Sequence, residues 1–136
     1  MYEYEVKEIT KIIDGDTIDV VIDLGFSIFT KQRLRFKGID APETLSKDEQ
    51  ERKFGNEAKD YVSNWLINQN KLIVKTYKDD KYGRVLAEIF GDGNICLNMV
   101  LVETGYAWAY DGLIARNKDF NLLLEKRAQI SNGICS

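Results

Sequence analysis

Asp14-Gly15-Asp16-Thr17 sets two carboxylates around a glycine, and Asp40-Ala41-Pro42-Glu43 sets two more around Ala-Pro. A hard divalent cation takes several oxygen ligands, and turns at strand ends can supply carboxylates and main-chain carbonyls together. An oxygen-only Ca²⁺ or Mg²⁺ site fits these residues. Ordinary turn chemistry fits each motif taken alone, with Asp bonding nearby backbone and Pro fixing φ. Arg35 stands ahead of Asp40, and Arg84 closes the run Lys81-Tyr82-Gly83-Arg84. A planar guanidinium matches phosphate oxygens in bidentate fashion, so two arginines beside a divalent cation would suit a phosphodiester. Either arginine alone is also what a solvated strand face or a surface ion pair looks like. Tyr82, Tyr106, Trp108 and Tyr110 carry rings that could stack on bases. The alternation of the last three is equally a packing pattern, and Trp108 reads as core.

What the chain lacks narrows the chemistry. It has no histidine in 136 residues, which excludes Ser-His-Asp and Cys-His nucleophile systems and every zinc site that needs an imidazole. The 44% hydrophobic and 30% charged residues, with one proline and ten glycines, describe a globular chain rather than a disordered or low-complexity one. Its length suits a single domain over residues 1–136. The net charge of −3 is not that of a protein holding nucleic acid by overall charge, so any basic surface must be local. Cys96 and Cys135 cannot build a disulfide framework; free thiols are the default and one bridge stays open. No apolar h-region opens the chain, and no stretch approaches the ~20 apolar residues of a membrane span. A cytoplasmic protein, or a secreted one whose leader has been removed, both fit, with no membrane partner.

The elements that must carry these residues follow from periodicity. Ile18, Val20 and Ile22 alternate with polar neighbours over Thr17–Asp23, a half-buried strand. Lys31–Ile39 alternates again, with Leu34 and Phe36 on one side and Arg33, Arg35 and Lys37 on a cationic face. Thr10–Ile13 is an earlier strand in the same meander. Leu72–Tyr77 and Val85–Phe90 form a hairpin across a polar turn at residues 78–83. Between Ser46 and Asn68, Phe54, Ala58, Tyr61, Val62, Trp65 and Leu66 repeat at helical spacing, with Ser46 and Glu49 as a capping box. A short helix over Asn98–Glu103 stops at Gly105. A last one runs over Asn117–Ile130, with Phe120, Leu123, Leu124 and Ala128 inward and Gly133 beyond its end. Five strands mostly ahead of the helices, without βαβ alternation, predict an α+β, mainly β domain built on a small antiparallel barrel.

Four segments in this order, Ile13-Asp14-Gly15-Asp16-Thr17, Arg33 through Thr44, Lys53-Phe54-Gly55-Asn56-Glu57-Ala58 and Asp80-Lys81-Tyr82-Gly83-Arg84, resemble the staphylococcal nuclease (thermonuclease) family. The resemblance covers about residues 8 to 130. It implies an OB-fold, a five-stranded Greek-key barrel with three packed helices. It also implies a Ca²⁺-dependent, sugar-nonspecific nuclease that cuts the 5′ P–O bond of DNA and RNA and leaves 3′-phosphate ends. By motif, Asp16 and Asp40 match the metal-ligand carboxylates and Ala41 the backbone-carbonyl ligand. Glu43 matches the general base, Arg35 and Arg84 the phosphate-clamping arginines, and Lys81 and Tyr82 the contacts to the nucleotide's terminal phosphate. Tyr110 is the best match to a nucleotide-binding tyrosine, in a stretch whose register is open from Tyr106 to Tyr110. Asp19 reads as an exposed strand position or an assisting carboxylate, and Asp14 as a turn former. The family's threonine before the proline is Ala41 here, which leaves a carbonyl ligand intact. The acidic balance departs from the basic members and predicts weaker nonspecific affinity for nucleic acid. The expected partner is nucleic acid and the expected state a monomer. The alternative is a non-catalytic OB-fold module that binds nucleic acid or protein.

Overall fold

A computed structural model describes residues 2–79, 83–110 and 118–131. Lys81, Tyr82, Asn117, Gly133 and Cys135 therefore lie outside the described residues. Five strands close a barrel in the order β1-β2-β3-β6-β5: β1 (Tyr2–Asp14), β2 (Thr17–Asp23), β3 (Phe29–Phe36), β5 (Ile73–Asp79) and β6 (Val85–Phe90). Two short strands, β4 (Ile39–Asp40) and β7 (Trp108–Ala109), form a separate antiparallel pair. Three α-helices, α1 (Glu49–Ile67), α2 (Leu97–Glu103) and α3 (Phe120–Ser131), complete the α+β domain expected of an OB-fold. The meander β1-β2-β3 and the β5-β6 hairpin are antiparallel as expected, but the barrel closes through a parallel β3-β6 pair, Leu34 beside Val85 and Arg35 beside Leu86. The strand pattern leads to a small antiparallel barrel without fixing its topology, and four of the five strand pairs are antiparallel. Five strands closed into a ring cannot alternate in direction at every pair, so one parallel pair is required, and it falls where β3 meets β6.

Ile18, Val20 and Ile22 point into the barrel with Leu34, Phe36, Val74, Ala87 and Ile89, all buried. Period-two alternation placed the β2 and β3 residues correctly. β1 extends eight residues before Thr10, over Tyr2–Ile9. Tyr2, Tyr4 and Val6 do alternate with Glu3, Glu5 and Lys7, but register shifts after Val6, Ile9 and Ile12 break the phase of the pattern. β4 and β7 are two residues each, too short for any periodic signal.

α1 begins at Glu49 and not at Ser46. Asp48 is its N-cap and accepts the Gln50 N–H at 3.0 Å. Ser46 is instead turned to Glu51 and to the Asp48 N–H, so the Ser46–Glu49 capping box does not form. The buried stripe of α1 holds Phe54, Ala58, Val62 and Leu66 as expected, with Tyr61 and Trp65 half-buried. It also contains Glu51 and Gly55. α2 ends at Gly105, whose φ of 82° and the Tyr106 N–H to Leu101 carbonyl bond make a glycine stop. On α3, Leu123 is buried, whereas Leu124 and Ala128 are exposed. The inward stripe runs through Arg127, whose guanidinium lies over the Tyr106 ring at 4.3 Å and the Phe54 ring at 4.9 Å. A cation covering aromatic faces can take a position that a hydrophobic pattern would give to an apolar residue.

Asn98 on α2 ties the barrel at the parallel pair. Its side-chain carbonyl accepts the Ile89 N–H at 3.1 Å, and its amide donates to the carbonyls of Lys37 at 2.8 Å and Ala87 at 3.0 Å. Asn98→Leu keeps the size but strands the Ile89 N–H and the Lys37 carbonyl in a buried place, while the Ala87 carbonyl keeps the Lys37 N–H at 2.8 Å. A loss of about 3 kcal/mol is expected, at roughly 1 to 3 kcal/mol per unsatisfied group. Urea denaturation monitored by tryptophan fluorescence measures it, and an unchanged midpoint would contradict the role.

Candidate active site

The site forms at one end of the β2-β3 hairpin. Asp16 lies just before β2, and its carbonyl accepts the Phe36 N–H at 2.8 Å, next to Arg35 near the end of β3. Thr17 pairs with Arg35 across the two strands. Gly38 (φ 83°) then turns the chain into β4, which carries Asp40 and is held by Trp108 of β7. Three residues dispersed over 25 positions of sequence thus reach one place because two strands and a two-residue ladder end there.

Arg35 Nη2 stands 3.5 Å from Asp16 Oδ2 and 3.4 Å from Asp40 Oδ1, while Nη1 donates to the Phe36 carbonyl at 2.9 Å. Asp16 is only 6% exposed. Its Oδ2 accepts the Ala41 N–H at 2.8 Å and its Oδ1 accepts the Thr17 hydroxyl at 2.9 Å. Burial pushes the Asp16 carboxyl above the usual carboxylate range; the Arg35 guanidinium, the Ala41 N–H and the Thr17 hydroxyl oppose that only in part, and Asp40 adds a like charge. A buried acid short of positive charge beside a second carboxylate is the donor set a hard divalent cation satisfies. Among the described residues no three acidic or thiol side chains form a closed cage. The fit is to an open position, with two carboxylates and the rest of the oxygens from main chain, water or a phosphate.

Glu43 follows Pro42, which is fully buried, and is itself exposed. Its flanks are pinned. The Thr44 N–H and hydroxyl donate to Asp14 Oδ1 at 3.0 and 2.8 Å, and the Glu43 N–H donates to Glu51 Oε2 at 3.1 Å. Asp14 is therefore more than a turn former, since it ties the β1-β2 turn to the residue after Glu43. α1 comes so close that a Cβ on Gly55 would stand 2.7 Å from the Glu43 carbonyl carbon and oxygen. Only glycine lets the helix seat the loop at that distance.

The other expected residues are distributed as follows. Arg84 is half-buried immediately before β6, on the strand that runs beside Arg35. Tyr110 is half-buried, and its N–H donates to the Gly38 carbonyl at 2.9 Å, which brings it alongside the strand of Asp40. Tyr106 stacks on Tyr61 with centroids 4.3 Å apart and Trp108 is 3% exposed, so both serve packing. Asp19 is apart from the site: Arg33 grips it with Nε at 2.7 Å and Nη2 at 3.0 Å. That bond holds the Asp19 carboxyl below its usual range. The cationic face of β3 is consequently smaller than its sequence suggests. Arg33 is paired with Asp19, and Lys37 sits over the Tyr77 ring at 3.9 Å. Cys96 is half-buried at the start of α2, and burial pushes its thiol up.

Glu51 escapes sequence reasoning, and Thr44 and Gly55 enter it only as members of the motifs, with no role of their own. The signal for Glu51 was present as a charged residue on the apolar stripe, one turn before Phe54, where a carboxylate must find partners.

A closed five-stranded barrel of this topology with packed helices, carrying an acid-arginine cluster at one end of the β2-β3 pair, defines an OB-fold protein. The family model described as "Staphylococcal nuclease homologue" matches residues 33–131. The chain belongs to that family. It is 35% identical over 103 residues to a thermonuclease of Staphylococcus hyicus, covering 75% of this chain and 57% of that protein. It is 30% identical over 111 residues to a micrococcal nuclease of Shigella flexneri, covering 76% and 57%. It is 33% identical over 109 residues to endonuclease YhcR of Bacillus subtilis, covering 75% of this chain but 9% of that protein. The chain thus spans little more than half, or far less, of the length of these relatives.

Proposed function

We propose that this chain is a Ca²⁺-dependent nuclease that hydrolyses the 5′ P–O bond of DNA and RNA phosphodiesters to leave 3′-phosphate ends. The observation that carries the reading is the convergence of buried Asp16 with half-buried Asp40 and Arg35 at the end of the β2-β3 hairpin, with Glu43 on the adjoining turn. Family membership and the nuclease names of the relatives support it. Asp16, Asp40 and the Ala41 carbonyl would hold the cation. When bound, it supplies Lewis-acid neutralisation of the phosphate's charge. The residues of the chain divide the remaining work. Glu43, exposed and fixed by its main chain, takes the proton of the attacking water. Arg35 and Arg84 supply charge where it develops on the phosphoryl oxygens and the leaving oxygen. Lys81 and Tyr82 contact the terminal phosphate, and Tyr110 borders the nucleotide.

The test is release of acid-soluble nucleotides from heat-denatured DNA and from RNA at alkaline pH, with Ca²⁺, with Mg²⁺ and with EGTA. Hydrolysis of both substrates with Ca²⁺ that ceases in EGTA is expected, with products that are substrates for a 3′-phosphatase. A folded protein that binds Ca²⁺ and DNA without cutting either substrate would instead make it a binding module.

A further inference from the structure

Glu51 sits in the first turn of α1 and is 4% exposed. A carboxylate so placed is expensive unless it is fully engaged. Its Oε2 accepts the Glu43 N–H at 3.1 Å and the Lys118 ammonium at 2.6 Å, and its Oε1 accepts the Ser46 hydroxyl at 3.0 Å. Burial alone would raise this carboxyl, but the Lys118 ammonium, the Glu43 N–H and the Ser46 hydroxyl outweigh it and hold the group below its usual range. The three donors come from three places: the main chain of the Glu43 turn, the loop leading into α1, and the residue two before α3.

A second link enters from the same side. The Trp108 indole N–H donates to the Asp119 carbonyl at 2.9 Å, and Trp108 is the β7 partner of Asp40 in the β4-β7 pair. Asp119 also begins α3 by accepting the N–H groups of Asn121 and Leu122 at 3.1 and 3.3 Å. Lys118 and Asp119 are adjacent, so one short segment is tied through Glu51 to the Glu43 turn and through Trp108 to the Asp40 strand.

We propose that Glu51, clamped by Lys118, is a positioning residue that holds the Glu43 turn at a fixed distance from Asp16 and Asp40. The proposal rests on the nuclease reading for its rate consequence and on geometry alone for the clamp. Glu51 does not reach the reacting atoms; it acts by fixing the main chain of the residue that does. A carboxylate held on an unpinned turn samples many positions, and a misplacement of about 1 Å can lower a rate on the order of 10²-fold. Partners that orient a reacting residue change activity by about 10- to 100-fold when removed.

The experiment uses the full 136-residue chain, with Glu51→Ala, Glu51→Gln and Lys118→Ala, each also in a Glu43→Ser background. Glu51→Ala is expected to lower kcat by about 10- to 100-fold with KM changed less than about twofold, because substrate and cation contacts are intact. Glu51→Gln still accepts the Glu43 N–H and should restore most of kcat. Lys118→Ala leaves that hydrogen bond in place and should fall between the two. In the Glu43→Ser background none of the three should matter further, since residues that act through one another are not additive. Amide hydrogen exchange supplies a readout independent of activity: the Glu43 N–H should be protected in the parent and exchange freely in Glu51→Ala. A full loss that persists in the Glu43→Ser background, or a Glu43 amide equally exposed in parent and Glu51→Ala, overturns the proposal. A parent that does not hydrolyse nucleic acid overturns the nuclease reading instead, and the exchange measurement still decides the clamp. If Glu51→Ala does not fold, the comparison of Glu51→Gln with Lys118→Ala carries the same test.

Discussion

Glu43→Ser should lower Ca²⁺-supported hydrolysis by about 10²- to 10⁴-fold, the span associated with losing a positioned general base, and leave the fold in place. The two halves of that expectation come from the same geometry. Glu43 is exposed, and among the described residues no side chain bonds its carboxylate; everything that holds the turn runs through its N–H, through Thr44 and through buried Pro42. Serine keeps the N–H and removes only the acid. Stability should therefore change by no more than about 0.5 kcal/mol, as for a surface substitution away from special features. The measurement is single-turnover hydrolysis of a short oligonucleotide beside thermal unfolding of the same preparation. A variant that cuts as fast as the parent would remove Glu43 from the reaction. One that unfolds many degrees lower would show that the carboxylate is structural.

How far the sequence could be read depended on the length over which each physical cause acts. β2 and the inner half of β3 were legible because one face is buried and the side-chain period is two. Asp16, Arg35 and Asp40 were legible as chemistry only in combination, since each alone is ordinary turn or strand composition. Their convergence is a tertiary fact, set by the Thr17–Arg35 register and by the β4-β7 pair, which is too short to leave a pattern. Asp19 shows the converse. It stands in the same strand as Thr17 and has the right chemistry, yet it is claimed by Arg33 on the outer face, and nothing local distinguishes it from Asp16. Arg127 and Glu51 were hidden for another reason. Both occupy inward helix positions that patterning assigns to apolar residues, and each is tolerated there because specific partners meet it, the Glu57 carboxylate, the Gly105 carbonyl and two aromatic faces for Arg127 and a lysine and two other donors for Glu51. Ser46 was misread as a cap because it has the right residue type two positions too early, and the helix start was decided by Asp48.

Arg35→Leu is expected to have a double effect, one on rate and one on stability, and the two have a common origin. Hydrolysis should fall by about 10²- to 10³-fold, the loss seen when one donor that stabilises developing transition-state charge is removed. In EGTA near pH 8 the variant should also be less stable by about 3 kcal/mol, because the deletion leaves Asp16 and Asp40 facing each other without the cation between them. The dependence on pH follows from the direction of the Asp16 shift. Burial already raises that carboxyl and Arg35 is the largest influence opposing it, so its removal raises the group further. A folded state that holds a proton more tightly than the unfolded chain loses stability as pH rises. The deficit of Arg35→Leu should thus be small below about pH 4, where the acid is protonated in both states. It should grow as pH climbs from the parent's already raised Asp16 value to the still higher one of the variant, and level off above that. Added Ca²⁺ should then raise the melting temperature of the variant by more than that of the parent, since a ligand that binds only the folded state stabilises with the logarithm of its affinity and the site has become more negative. Denaturation curves at pH 4 and pH 8, with and without Ca²⁺, decide the matter. A deficit independent of pH would mean that Arg35 contributes packing alone. A deficit that Ca²⁺ does not reduce would take the cation away from Asp16 and Asp40.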